Sequence, residues 1–306
     1  MMSMTAKVFS VGHILVDIKV QVKEFSDSDA LSPIKEMKYG VGGSAANVAI
    51  GVKRLGGESC LLGKVGMDAF GRIALDELMK EKISLEWVKI DPRHETGFTI
   101  VIINRRGDLA MYGIKGASEE LKPEEVSMVR MDGFKFVHIA SLRLDSSVTA
   151  AKLAKKAGAL VTFDPGRELI SKGLKGLSPI IPHADILLLN MKEAGALTRQ
   201  DAPDRAAHAL VKHGAKGVII KLGAEGVYYK LEGEEGKVPA FKVKAVDTTG
   251  AGDAFVTAFL VSLSEGKGYA EAIRFANAVA AIKVTRLGSH EIPSREEAEE
   301  FLSKIA

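Results

Sequence analysis

The sequence predicts an α/β protein, a three-layer sandwich in which helices cover both faces of a mainly parallel central sheet and a small β-sheet projects as a lid. Three observations carry this. Short β-branched or apolar runs alternate with longer helical patterns through most of the 306 residues, the signature of strand–helix–strand crossovers and of parallel pairing. Two segments, at about 17–40 and 96–116, break the alternation and carry no helical period. Gly-rich turns fall at strand ends, where sheets of this kind bind their ligands.

In chain order, a short polar start passes straight into an apolar strand at 8–11. Residues 17–38 read as extended, alternating polar and apolar through Ile18, Val20 and Val22. A helix at 44–55, a strand at 60–65 and a helix at 69–81 follow. Residues 96–114 read as two strands around the turn Asn104-Arg105-Arg106-Gly107-Asp108. Further strands are expected at 134–140, 160–164, 186–190, 218–222 and 227–230. Further helices are expected at 146–157, 202–213, 252–263, 270–285 and 294–305. Residues 1–306 read as one domain with the two lid segments inserted.

The net charge is +3 with both signs interspersed, too weak a field to argue for nucleic acid or a membrane surface. The one cysteine, Cys60, sits in an apolar run and reads as a buried small hydrophobe. With no intrachain disulfide, no signal peptide and no apolar run of the ~20 residues that span a bilayer, a cytoplasmic protein is expected.

The chemistry concentrates in Asp247-Thr248-Thr249-Gly250-Ala251-Gly252-Asp253-Ala254-Phe255. It reads as a Gly-rich turn opening a helix, whose first amides lack internal partners and carry the positive end of the dipole. Gly250, Ala251 and Gly252 let that backbone approach a bulky anion. Asp253 beside an anion site makes sense as a base that takes a hydroxyl proton while the amides hold phosphoryl charge. Taken alone, Gly-Ala-Gly-Asp is equally a capping turn.

A second glycine-rich block, Gly40-Val41-Gly42-Gly43-Ser44-Ala45-Ala46-Asn47, approaches another helix. Leu55-Gly56-Gly57 and Gly63-Lys64-Val65-Gly66-Met67-Asp68-Ala69-Phe70-Gly71 follow. DTTGAGDAF resembles the C-terminal signature of the ribokinase-like (PfkB) carbohydrate kinases, and the second block with its sequels resembles their N-terminal signature. The likeness extends over nearly the whole chain. It implies Asp253 as catalytic base, with Gly250, Ala251 and Gly252 as the anion hole. It implies Asp17, Gly42, Gly43 and Asn47 as contacts to a sugar. His13 reads as structural.

The same resemblance gives Asn190-Met191-Lys192-Glu193 a part in placing Mg²⁺, with Glu193 acting through water, although Asn190 and Glu193 also form a capping box. It implies nucleotide contacts at Lys221, Gly223, Gly226 and Asn277, where Lys221 replaces the family's usual Thr and Asn277 otherwise reads as an exposed helix residue. Asp164-Pro165-Gly166-Arg167 resembles a related element with no firm role for Arg167. Residues 285–293 resemble a closing segment whose backbone oxygens bind an activating K⁺, with Asp247 beside it; the stretch here is one residue shorter. Lys115 and Arg143, with Arg167, are candidates to reach an anionic acceptor.

The resulting expectation is a kinase moving the terminal phosphoryl group of ATP, or ADP, to a hydroxyl of ribose, fructose or a keto-sugar acid. A nucleoside or sugar-phosphate acceptor of the same family is the alternative, and a non-enzymatic binding homologue the rival of another class. No Walker motif is present, and no Gly-x-Gly-x-x-Gly follows the first strand. Relatives pair through the lid, so a homodimer is expected.

Overall fold

The computed structural model describes residues 6–288 and 291–304; Ser289, His290 and Ile305, which fall within segments read above, lie outside the described residues. The chain opens with β1 (Lys7–Gly12), β2 (Leu15–Val22) and β3 (Ile34–Gly42), then α1 (Ser44–Arg54), β4 (Glu58–Gly66), α2 (Ala69–Lys80) and β5 (Val88–Asp91). The hairpin β6 (Thr96–Ile103) and β7 (Leu109–Gly116) leads through the short α3 (Pro123–Ser127) to β8 (Phe136–Ala140), α4 (Leu144–Lys156) and β9 (Leu160–Asp164). Next come α5 (Gly166–Ser171), α6 (Gly173–Leu177), β10 (Ile186–Asn190), α7 (Met191–Thr198), α8 (Pro203–Lys212) and β11 (Val218–Lys221). The last elements are β12 (Val227–Leu231), β13 (Glu234–Val238), α9 (Ala251–Ser264), α10 (Tyr269–Val284) and α11 (Arg295–Ser303).

A nine-stranded sheet runs in the order β13-β12-β11-β10-β9-β8-β1-β4-β5. Its pairs are parallel from β5 through to β11, and β12 and β13 add antiparallel at one edge. The polar β13, absent from the sequence reading, forms because an edge strand needs only backbone partners and favours charge over an apolar pattern. Alternation along each buried strand sorts side chains to two faces. Leu187 and Leu189 of β10 join the cluster with Ala150 of α4 and Ala206 of α8, whereas Ile186 and Leu188 join Val48 of α1, Phe259 of α9 and Val279 of α10. These two apolar layers are what hold the sandwich together.

The two segments that broke the alternation form a four-stranded sheet of their own, ordered β3-β2-β6-β7. Its edge strands expose large apolar side chains: Met37 and Tyr39 on β3, and Leu109, Met111, Tyr112 and Ile114 on β7. The expected turn at Asn104 is built by its own side chain, whose Oδ1 accepts from the Arg106 and Asp108 amides at 2.9 Å each. Cys60 is buried, and burial pushes its thiol up to about 11, so it is a core group and no nucleophile. Among the described residues no helix is long and apolar enough to cross a membrane.

Strand order fixes where ligands can sit. From β1 the chain winds outward on one side to β4 and β5, and on the other to β8 and beyond. The carboxyl ends of β1 and β8 therefore diverge, opening a crevice at a topological switch point. Phe163, fully buried next to that crevice on β9, is a test of the packing: Phe163→Ala is expected to cost about 3–5 kcal/mol, read as a lowered urea midpoint at unchanged slope.

Candidate active site

Four parallel strands end at one cleft. His13 follows β1, Ser141 follows β8, Asp164 closes β9, Asn190 closes β10, and Glu193 stands one turn into α7; all line a cavity of about 510 Å³. The lid contributes Leu15 and Lys115, and two helix starts contribute Gly43, Ser44, Gly250 and Asp253. A second cavity of about 390 Å³ lies on the far side of the α9 turn. Gly223, Gly226, Ala251, Gly252 and Asn277 line it together with the apolar Phe241, Val243, Phe255 and Ala280.

The turn before α9 separates the two. Gly250 sits at φ 76° as the residue preceding the helix, a left-handed conformation that side-chain-bearing residues resist, and no side chain caps this end. Ala251 N–H donates to Thr248 O at 3.2 Å within the turn. Asp253, in the first turn, reaches across to α1: its Oδ1 accepts from Ser44 Oγ at 2.5 Å and its Oδ2 from Asn47 Nδ2 at 2.7 Å. Asn47 Oδ1, buried beside it, has no partner among the described residues. Burial pushes the Asp253 carboxyl up to about 6, against the two hydrogen bonds that favour its charged form.

Asp164, Glu193, Lys221 and Asp253 form one electrostatic group. Lys221 Nζ donates to Asp164 Oδ2 at 3.0 Å. Burial alone would lower the Lys221 pKa, but the charges of Asp164, Glu193 and Asp253 raise it, so the ammonium is held charged. Glu193 is raised by burial and by Asp164. It also completes the capping box, its Oε2 accepting from Asn190 N at 2.9 Å while Asn190 Oδ1 accepts from Glu193 N at 3.0 Å. Among the described residues no group of three or more acidic, His or Cys side chains is placed to hold a metal directly.

The cleft thus brings together Gly43, Lys115, Asn190, Glu193, Gly250 and Asp253, with Asn47 behind the base. Lys221, Gly223, Gly226, Ala251, Gly252 and Asn277 gather in the second cavity. Asn277 is buried, not exposed, and donates to Val238 O and Pro239 O at 3.2 and 3.0 Å. Asp17 lies apart, in a pocket under the lid with Lys19 and Gly288. Its carboxyl carbon would stand 2.4 Å from a β-carbon at residue 42, which is why Gly42 faces it. Arg143 pairs with Asp145 at 2.6 Å and lines a neighbouring hollow with Glu119. Asp247 is buried below the α9 turn.

Glu119, Ser141 and Glu168 are cleft residues that the sequence reading did not name, and Ser44 and Asp164 were named there only within their motifs. Asp164 had a signal, a carboxylate at a parallel strand's C-terminal end before Pro-Gly. Glu119 accepts from Lys115 Nζ, four positions before it, at 3.2 Å and pairs with the buried His13 Nε2 at 2.9 Å, and nothing local in the sequence announces the contact with His13. The ion pair with His13 and Lys115 holds its carboxyl, although burial opposes, down to about 2.

Comparison with known proteins agrees with this geometry. The chain is 32% identical to an ATP-dependent ribose-1-phosphate kinase of Halopiger xanaduensis, over 97% of this chain and 98% of that one. A ribokinase crystal structure from Thermotoga maritima superposes with a TM-score of 0.86 at 31% identity, covering 97% of this chain and 99% of that one. The Arabidopsis thaliana ribokinase complexed with ribose and ATP superposes with a TM-score of 0.83 at 26% identity, over 98% and 99%. The family model for pfkB family carbohydrate kinases matches residues 5–296. A cleft at the switch point of a parallel sheet, a Gly-rich helix start carrying a half-buried carboxylate and a match over nearly the full length lead to one conclusion: this chain is a phosphotransferase of the pfkB carbohydrate kinase family, acting on an alcohol group.

Proposed function

We propose that this kinase moves the terminal phosphoryl group of ATP to a hydroxyl of a sugar, with Asp253 as the base. The observation that carries this is the position of Asp253 in the cleft, directly after Ala251 and Gly252, which line the second cavity, with its pKa raised to about 6. The second cavity, apolar and edged by Asn277, suits a nucleotide base and ribose. Its phosphates would run past Gly252, where Lys221 Nζ lies 3.2 Å from a β-carbon position, toward the α9 amides.

In the reaction the acceptor hydroxyl gives its proton to Asp253 and its oxygen bonds to the terminal phosphorus. The bond from that phosphorus to the bridging oxygen breaks, and ADP leaves with its electron pair. Asn47 and Ser44 aim the carboxylate from the α1 start. The Gly250–Gly252 turn and the α9 dipole meet phosphoryl charge with fixed amides, so the work is positioning and charge stabilisation. Asp164, Asn190 and Glu193 present oxygen donors that suit a water-bound Mg²⁺, which when bound offsets charge on the donor phosphates.

A second reading has a sugar phosphate as acceptor. It is favoured by Lys115 and Arg167 at the cleft wall, where Lys115 bridges Glu119 and Glu168 and can exchange one carboxylate for a phosphate. Nucleosides as acceptors and ADP as donor have no such support. Burying the apolar edges of β3 and β7 against a second copy would give a lid-to-lid homodimer, in keeping with one domain that works in the cytoplasm.

The test is product formation from ATP with ribose, fructose and ribose 1-phosphate. Asp253→Asn is expected to lose roughly 10²–10⁴ in turnover while calorimetry shows ATP still bound; near-normal turnover would remove Asp253 as base. Below about pH 6 the base becomes protonated, so kcat/KM is expected to fall about tenfold per pH unit. Ser44→Ala removes a hydrogen bond to the charged form, so the acid limb should move to higher pH. An unmoved or lowered limb would contradict the assignment.

A further inference from the structure

The likeness to ribokinases places an activating monovalent cation beside Asp247, but the residues present do not fit one. Every oxygen of Asp247 already accepts from the chain. Its Oδ1 takes the Thr249 amide at 2.9 Å, and its Oδ2 takes the Gly288 amide at 3.0 Å and Lys19 Nζ at 2.5 Å. Its backbone oxygen takes Lys283 Nζ at 2.8 Å, and the same ammonium lies 4.0 Å from Oδ2. Lys283 is fully buried and Lys19 is 6% exposed. A further cation here would meet two ammonium groups already seated on the Asp247 carboxylate and backbone oxygen.

We infer, on the kinase reading above, that the ammonium groups of Lys19 and Lys283 stand in for the monovalent cation, so that this enzyme works without one from solution. The placement has a mechanical consequence. Lys19 belongs to lid strand β2 and Lys283 to α10, and both clamp the first residue of the turn that carries Gly250 and Asp253. The pair therefore ties the lid and α10 to the anion hole and places two ammonium groups beneath it. The charge of Asp253 is felt at Lys283, where burial lowers the pKa to about 8 while Asp247 and Asp253 oppose that shift. Both lysines are positioning residues; neither lines the cleft that holds the base.

The experiment compares the purified full chain in choline chloride and in KCl at equal ionic strength, reading thermal midpoint, ATP affinity by calorimetry, and turnover. For the native sequence all three are expected to change by less than about twofold, or not at all in midpoint, because among the described residues each oxygen of Asp247 is already taken. A several-fold rise in turnover or affinity with K⁺, or a K⁺-dependent gain in midpoint, overturns the inference. Lys283→Met leaves the Asp247 backbone oxygen buried without its cation. In choline chloride it should lose at least about tenfold in turnover and regain most of it in potassium or ammonium chloride. A folded Lys283→Met chain indifferent to these ions also overturns the inference, and Lys19→Met serves if Lys283→Met does not fold. Absence of turnover in every salt with every acceptor would count against the kinase reading, and the midpoint and affinity comparisons would still decide this one.

Discussion

The cleft depends on the joint between two helix starts. Asp253 in the first turn of α9 accepts from Ser44 and Asn47 in the first turn of α1. That joint does two things at once. It holds the carboxylate where the cleft and the nucleotide-sized cavity meet, and it opposes the desolvation that would otherwise hold the group protonated. A carboxylate buried without such donors would stay neutral at the pH of the cell; one fully exposed would be too weak a base to take a hydroxyl proton. The packing of α1 against α9 on one face of the sheet is what keeps the two turns in register.

Around this joint the charges are arranged by strand ends. Asp164 and Glu193 gather negative charge along one wall of the cleft, and Lys221 pairs with Asp164 beside the α9 turn. Beneath the turn the balance reverses, with Lys19 and Lys283 on Asp247. The phosphoryl group would therefore pass through a region with positive charge below and on one side, and with fixed amides in front. Preorganisation of this kind needs little movement at the moment of reaction.

Much of the fold was legible in the sequence. Strands 160–164 and 186–190 are found at the residues expected, because continuous apolar runs bounded by Asp or Asn and Pro or Gly leave little choice. The lid was legible as a break in helical period, and its turn as Asn104 and Gly107. The family likeness singled out Asp253, Gly250 and Asn277, and the structure puts the first two in the cleft and Asn277 in the second cavity. What was not legible is long-range. Ser44 and Asp253 are 209 positions apart, and Lys19 and Asp247 are 228 apart; no local pattern links such pairs. Glu119 was missed in part for the same reason, since its partner His13 is 106 positions away, although Lys115 is only four positions off. Asp164 was legible as a strand-end carboxylate, but only the meeting with Lys221 gives it weight.

The account stands most directly on the acidity of one group. Aspartate labelled at the side-chain carboxyl carbon and followed by NMR through a pH titration of the free enzyme reports it without any substrate. One resonance, absent from Asp253→Asn, should titrate with a midpoint near 6. A midpoint for that resonance near 4, the ordinary aspartate range, would mean that the carboxylate is solvated and not held in the joint between α1 and α9, and would contradict the account.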